Sequence, residues 1–150
     1  MNIETYSYNI ISIREYSFTS TGKKKIIKLV QFKPTRDTDI VNLGFGDQLP
    51  GGRIDDTSVL DNRDILKVFG TVIQIAYDFT EQFPHLTIAF TGSTPLRTNL
   101  YNRILKTYYL EFSKEFTITG IVEKRGTIFE IDFEPEFPGK YLVFFIKRKP

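Results

Sequence analysis

A chain of 150 residues with 41% hydrophobic and 25% charged side chains has enough apolar surface for a packed core and too much for a disordered segment. Twenty basic against 18 acidic residues leave a net charge of +2, which supplies no strong field for nucleic acid or anionic lipid, so neither is expected as a partner. The absence of cysteine removes disulfides, thiolate metal sites and cysteine nucleophiles.

No basic-then-apolar leader opens the chain, and the longest apolar run, Tyr141 to Ile146, is far too short to span a bilayer. These features together point to a cytoplasmic, single-domain protein. Fourteen Phe and 8 Tyr with no Trp predict a core of packed rings, and such residues suit a pleated surface.

In chain order, Glu15 to Ser20 and Lys25 to Phe32 are rich in aromatic and β-branched residues and read as a hairpin turning at Thr21-Gly22. Asp39 to Phe45 supplies a third strand. Gly46 to Leu60 shows no period and holds Pro50-Gly51-Gly52, so it reads as a long polar loop. From Asn62 to Gln82, Ile65, Val68, Phe69, Val72, Ile73, Ala76 and Phe79 recur at three- and four-residue spacing, which predicts a helix with Asp61 as its cap and Pro84 beyond its end. Leu86 to Phe90 is a short buried strand. A second helix is expected from Pro95 to Ser113, with Leu100, Tyr101, Ile104, Leu105, Tyr108 and Phe112 facing inward.

Three strands follow: Phe116 to Glu123, Thr127 to Phe133 and Tyr141 to Lys147. The first two join at Arg125-Gly126. Tyr141 to Ile146 is apolar on both faces and belongs in the middle of the sheet. The order βββαβαβββ implies an α+β fold: a mixed, mostly antiparallel sheet of about six to seven strands with two helices packed on one face.

Three polar groups could carry chemistry. Gly92, Ser93 and Thr94 follow a strand and open a helix, where unpaired N–H groups can cradle an anion, although a Ser or Thr before Pro is also how an ordinary helix begins. Arg97 projects onto the inner stripe of that helix. A charge there needs a partner, so it forms either an internal salt bridge to a loop carboxylate or a fork for an anionic ligand. The acidic residues Asp47, Asp55, Asp56 and Asp64 surround the long loop, but their spacing matches no calcium loop and no bound metal is expected. The alternating glycines of Asn42-Leu43-Gly44-Phe45-Gly46-Asp47 read as a bulge or sharp turn. His85 is the single histidine and reads as a loop residue. With no cysteine beside it, zinc chemistry and a nucleophilic triad are not indicated, and no cofactor is expected.

The series Asn42-Leu43-Gly44-Phe45-Gly46-Asp47, Asp55-Asp56, Asn62-Arg63-Asp64 and Gly92-Ser93-Thr94 with Arg97-Thr98 resembles a family of small proteins of unknown function from Bacteroidetes. The resemblance implies no particular activity. Proteins of that kind often carry an arginine on each side of the Leu100-Tyr101 pair, where this chain has Asn99 and Asn102. A role in a mobile element or host–phage conflict system is what the likeness suggests.

The expected function is a binding or interaction domain. Arg97, Ser93, Thr94, Gly92, Asp47, Asp55, Asp56 and Asp64 would converge on one polar pocket at the helix N-termini, with a protein or a small anionic ligand as partner. The alternative is an enzyme on a phosphorylated or nucleotide substrate, with Arg97 and Gly92–Thr94 holding phosphate and an aspartate as base or metal ligand.

Overall fold

The computed structural model describes residues 3–51, 54–55 and 62–150, with Asp55 described by its backbone alone. Within them lie nine strands and three helices: β1 Tyr8–Ser12, β2 Glu15–Ser20, β3 Ile26–Pro34, β4 Ile40–Gln48, β5 Ile54–Asp55, α1 Ile65–Gln82, β6 Thr87–Phe90, α2 Pro95–Thr107, α3 Tyr109–Phe112, β7 Phe116–Lys124, β8 Thr127–Asp132 and β9 Val143–Arg148. One sheet runs β1-β2-β3-β4-β6-β9-β7-β8, with β5 paired to β4. Every pairing is antiparallel except β4–β6. The predicted α+β class holds, and β9 lies between β6 and β7, the central place its apolar composition demands. No helix among the described residues is long and apolar enough to cross a membrane.

Register shows where the core sits. Val30 pairs with Phe45 and Phe32 with Leu43, and directly opposed residues share a face. Phe32 stacks on Phe79 of α1 with centroids 4.0 Å apart, while Phe45 meets Tyr101 of α2 at 6.0 Å. Both long helices therefore cover the same face of the sheet. Tyr101 also contacts Phe69 and Phe90, so the rings join α1, α2 and the sheet into one apolar layer.

Four expectations change. β1 is an additional strand; its side chains are mostly exposed, and it is held by its ladder with β2. The bulge expected at the alternating glycines is absent: β3 and β4 pair in unbroken register from Lys28–Asp47 to Pro34–Val41. Part of the loop expected over 46–60 is strand, because Gly46–Gln48 extends β4 and Ile54–Asp55 pairs back onto it. The second helix breaks at Tyr108 (φ −109°, ψ 23°). Beyond the break Tyr109 stacks on Phe133 and Phe112 reaches Phe69, contacts that set the new direction without any proline or glycine. Asp61, expected to cap α1, lies outside the described residues; Asp64 stands at that position without a capping hydrogen bond from its side chain.

Three tyrosines tie alkaline stability to burial. Burial is the largest cause raising the phenols of Tyr8, Tyr16 and Tyr141, and for Tyr8 a hydrogen bond to Asp78 and that carboxylate's charge add to it. The folded state thus keeps protons that the unfolded chain releases from about pH 10 upward. Their contribution is intact below that pH and is lost as the pH rises through the folded values. Urea unfolding followed across pH 8 to 11.5 should show a decline in stability above about pH 10, shallower in Tyr8→Phe. An identical slope in the variant would refute this.

Candidate functional site

β4 has two edges. β3 occupies one along nearly its whole length, while the other is shared: β6 pairs with Ile40–Asn42 and β5 with Asp47–Gln48. Between them, among the described residues, Leu43–Gly46 has no strand partner on that edge. There β4 and the end of β6 open a cleft of about 160 Å³, walled by Phe45, Phe90 and Tyr101 and carrying Asn42, Thr91, Ser93 and Arg97 as polar groups. Arg97 enters from the first turn of α2. It is buried, at 4% exposure, and its Nη1 donates to the Phe45 carbonyl at 3.4 Å, on the stretch of β4 that β6 leaves uncovered. Its guanidinium carbon lies 5.8 Å from the Phe45 ring. The inward position expected from the helical stripe is the one observed.

The rest of the Gly92–Thr98 segment builds the helix start. Thr94 Oγ1 accepts from the Arg97 N–H at 3.2 Å, and Pro95 has no N–H to offer. Thr98 Oγ1 donates toward the Gly92 and Thr94 carbonyls, both at 3.2 Å. A Cβ on Gly92 would lie 2.3 Å from the Thr98 nitrogen, so strand end and helix touch backbone to backbone. Two of the predicted pocket residues, Ser93 and Arg97, line the cleft; Gly92 and Thr94 shape the turn that carries them.

The two candidate carboxylates with described side chains, Asp47 and Asp64, have partners outside the cleft. Asp47 follows Leu43 and Phe45 on the inner face of β4 and forms an ion pair with Lys28, its direct cross-strand neighbour, which is 2% exposed. Asp64 accepts hydrogen bonds from the hydroxyls of Tyr6 and Ser20. Beside it, Asn62 fastens the β2–β3 turn: Nδ2 donates to Ser20 Oγ and the Lys24 carbonyl, Oδ1 accepts from the Lys24 N–H, and its carbonyl accepts from the Lys23 N–H, all within 2.9 Å. Gly22 is required there, because a Cβ would fall 1.7 Å from the Asn62 oxygen. The backbone of Asp55 pairs with Asp47, and Asp56 lies outside the described residues. Among the described residues no group of three His, Cys, Asp or Glu side chains could hold a metal ion.

Lys28 was open to prediction. It shares strand parity with Val30 and Phe32, so alternation put it on the buried face; Asp47 shares parity with Leu43 and Phe45 only because β4 runs on to Gln48, past the expected strand end at Phe45. Asn102 was less visible. Its side-chain amide pairs with the peptide of Tyr141, accepting from the N–H at 2.9 Å and donating to the carbonyl at 3.1 Å, which ties α2 to the approach to β9.

Two basic runs differ: Lys23, Lys24 and Lys25 are exposed in the turn, whereas in Lys147-Arg148-Lys149 Arg148 packs over the Tyr77 ring at 3.9 Å and donates to its carbonyl. His85 is exposed in the connection before β6. No curated protein and no solved structure matches the chain. A family model spans nearly all of it, residues 2–149, and the chain belongs to that family, a family of unknown function (DUF6934).

Proposed function

We propose that this protein is a small binding domain whose ligand site is the cleft between β4 and β6, and that the ligand presents a compact anionic group, phosphate or carboxylate, to Arg97. The buried guanidinium at the mouth of two diverging parallel strands carries this reading. Ligands of α/β sheets favour the carboxyl ends of parallel strands where neighbours part, and β4 and β6 are the one parallel pair among the described strands. An arginine already dehydrated by the fold meets an anion at low dielectric, where the planar fork reads two oxygens at once. The volume equals roughly five waters, enough for one oxyanion group, with the remainder of a larger molecule projecting outward. Asp47 and Asp64 are engaged by Lys28 and by Tyr6 and Ser20. That favours binding over turnover.

The test is thermal stabilisation by inorganic phosphate, pyrophosphate, nucleotides and small dicarboxylates, followed by calorimetry on any that respond. A specific ligand at 100 times its Kd adds about 2.7 kcal/mol. Arg97→Lys keeps the charge but loses the fork, and its affinity should fall by about tenfold or more while the fold persists. Equal affinity in the folded variant, or no response to any compound, would refute the assignment.

A further inference from the structure

The two ends of the sheet are built differently. At one end the β1–β2 register shifts between Ile10 and Ser12, an irregularity that disrupts an edge and discourages pairing. At the other, β8 pairs with β7 through six consecutive residues in regular register, from Lys124–Thr127 to Thr119–Asp132. Its interior carries no proline, lysine or bulge. Ile128 and Phe129 at its centre are 64% and 46% exposed and, being adjacent, project to opposite faces. Among the described residues no strand pairs with its outer edge. The segment leaving β8 turns inward: Phe133 stacks between Tyr109 and Tyr141, and Lys106 of α2 holds the Phe137 and Gly139 carbonyls.

Charge selects the occupant. Lys124 ends β7 beside Thr127 and Arg125 stands in the turn that enters β8, while Glu130 and Asp132 lie in β8 and Glu134 just past its end. An edge with a basic pair at the turn that enters it and carboxylates at its far end is complementary to itself when reversed. A twofold axis crossing the strand produces that reversal and sets each basic end against the partner's acidic end, twice per dimer. We propose that β8 is a docking edge for a second copy of this chain, giving an antiparallel β8–β8 pair that continues the sheet across the dimer. The two strands satisfy each other's outward N–H and C=O groups and cover Ile128 and Phe129.

Sedimentation of the wild-type chain from roughly 10 μM to 1 mM tests this, the upper limit being set by the modest area of a single-strand contact. Two charge-reversed chains are needed: Lys124→Glu with Arg125→Glu, and Asp132→Lys with Glu134→Lys. All four side chains are exposed, and circular dichroism checks each fold. The wild type should dimerise, more weakly as salt rises. Each reversed chain alone should lose about tenfold or more in affinity, and an equimolar mixture should regain wild-type affinity, because both end pairs are again of opposite sign. A wild type that stays monomeric throughout leaves the edge to some other strand and overturns the proposal. So does a dimer unmoved by charge reversal, or a mixture of folded chains that fails to recover.

Discussion

Asp47→Leu should lower stability by about 3 kcal/mol, seen as a fall in Tm on the order of 10 °C. Lys28 is fully enclosed on the inner face of the sheet, and Asp47 is its ion-pair partner. Removing the carboxylate strands an ammonium whose dehydration was offset by that contact. Asp64 lines the same small void as Lys28, but the hydroxyls of Tyr6 and Ser20 already hold it, so it is poorly placed to substitute. The diagnostic variant is the double substitution Lys28→Met with Asp47→Leu. Replacing both charges by apolar groups of similar size removes the uncompensated ion, and stability should return to within about 1 kcal/mol of the parent. Chemical denaturation of the three proteins decides it. A single variant that costs less than about 1 kcal/mol, or a double no better than the single, would mean that the pair does not balance a buried charge.

Gly92→Ala should cost about 3 kcal/mol and weaken the cleft at the same time. The φ of Gly92 is one that any residue adopts, so the requirement for glycine is space alone. The added methyl would meet the Thr98 nitrogen at 2.3 Å and the Arg97 carbonyl carbon at 2.7 Å, both backbone atoms that cannot swing aside. Relief requires the first turn of α2 to move away from β6, and Arg97 moves with it. Thermal unfolding gives the stability change; any anion that binds the wild type should bind the folded variant several-fold more weakly. A variant of parental stability would show that the turn yields at little cost.

Much of the architecture was legible because secondary-structure period is local. The stripe from Ile65 to Phe79 defined α1, and runs of aromatic and β-branched residues around the Thr21-Gly22 turn marked β2 and β3. β1 was illegible for the same reason: Ile10 and Ile11 are adjacent and both exposed, and what makes the segment a strand is its pairing with β2. The break at Tyr108 carries no local signal either; ring contacts with Phe69 and Phe133, distant in sequence, determine it. At the site, the inward aim of Arg97 followed from its position in the helical repeat, but the destinations of the carboxylates did not. Asp47 meets Lys28 through the register of the β3–β4 hairpin, and Asp64 meets Ser20, 44 residues away, only when the start of α1 packs beside the end of β2.

The sequence by itself determined the inner stripes of the two long helices, Arg97 among them, because the helical period assigns each residue to a face before any partner is chosen. Tertiary structure alone decided what each buried polar group meets, since pairing brings together residues remote along the chain. It also decided where the cleft opens, at the point where β6 ends and β4 continues without it.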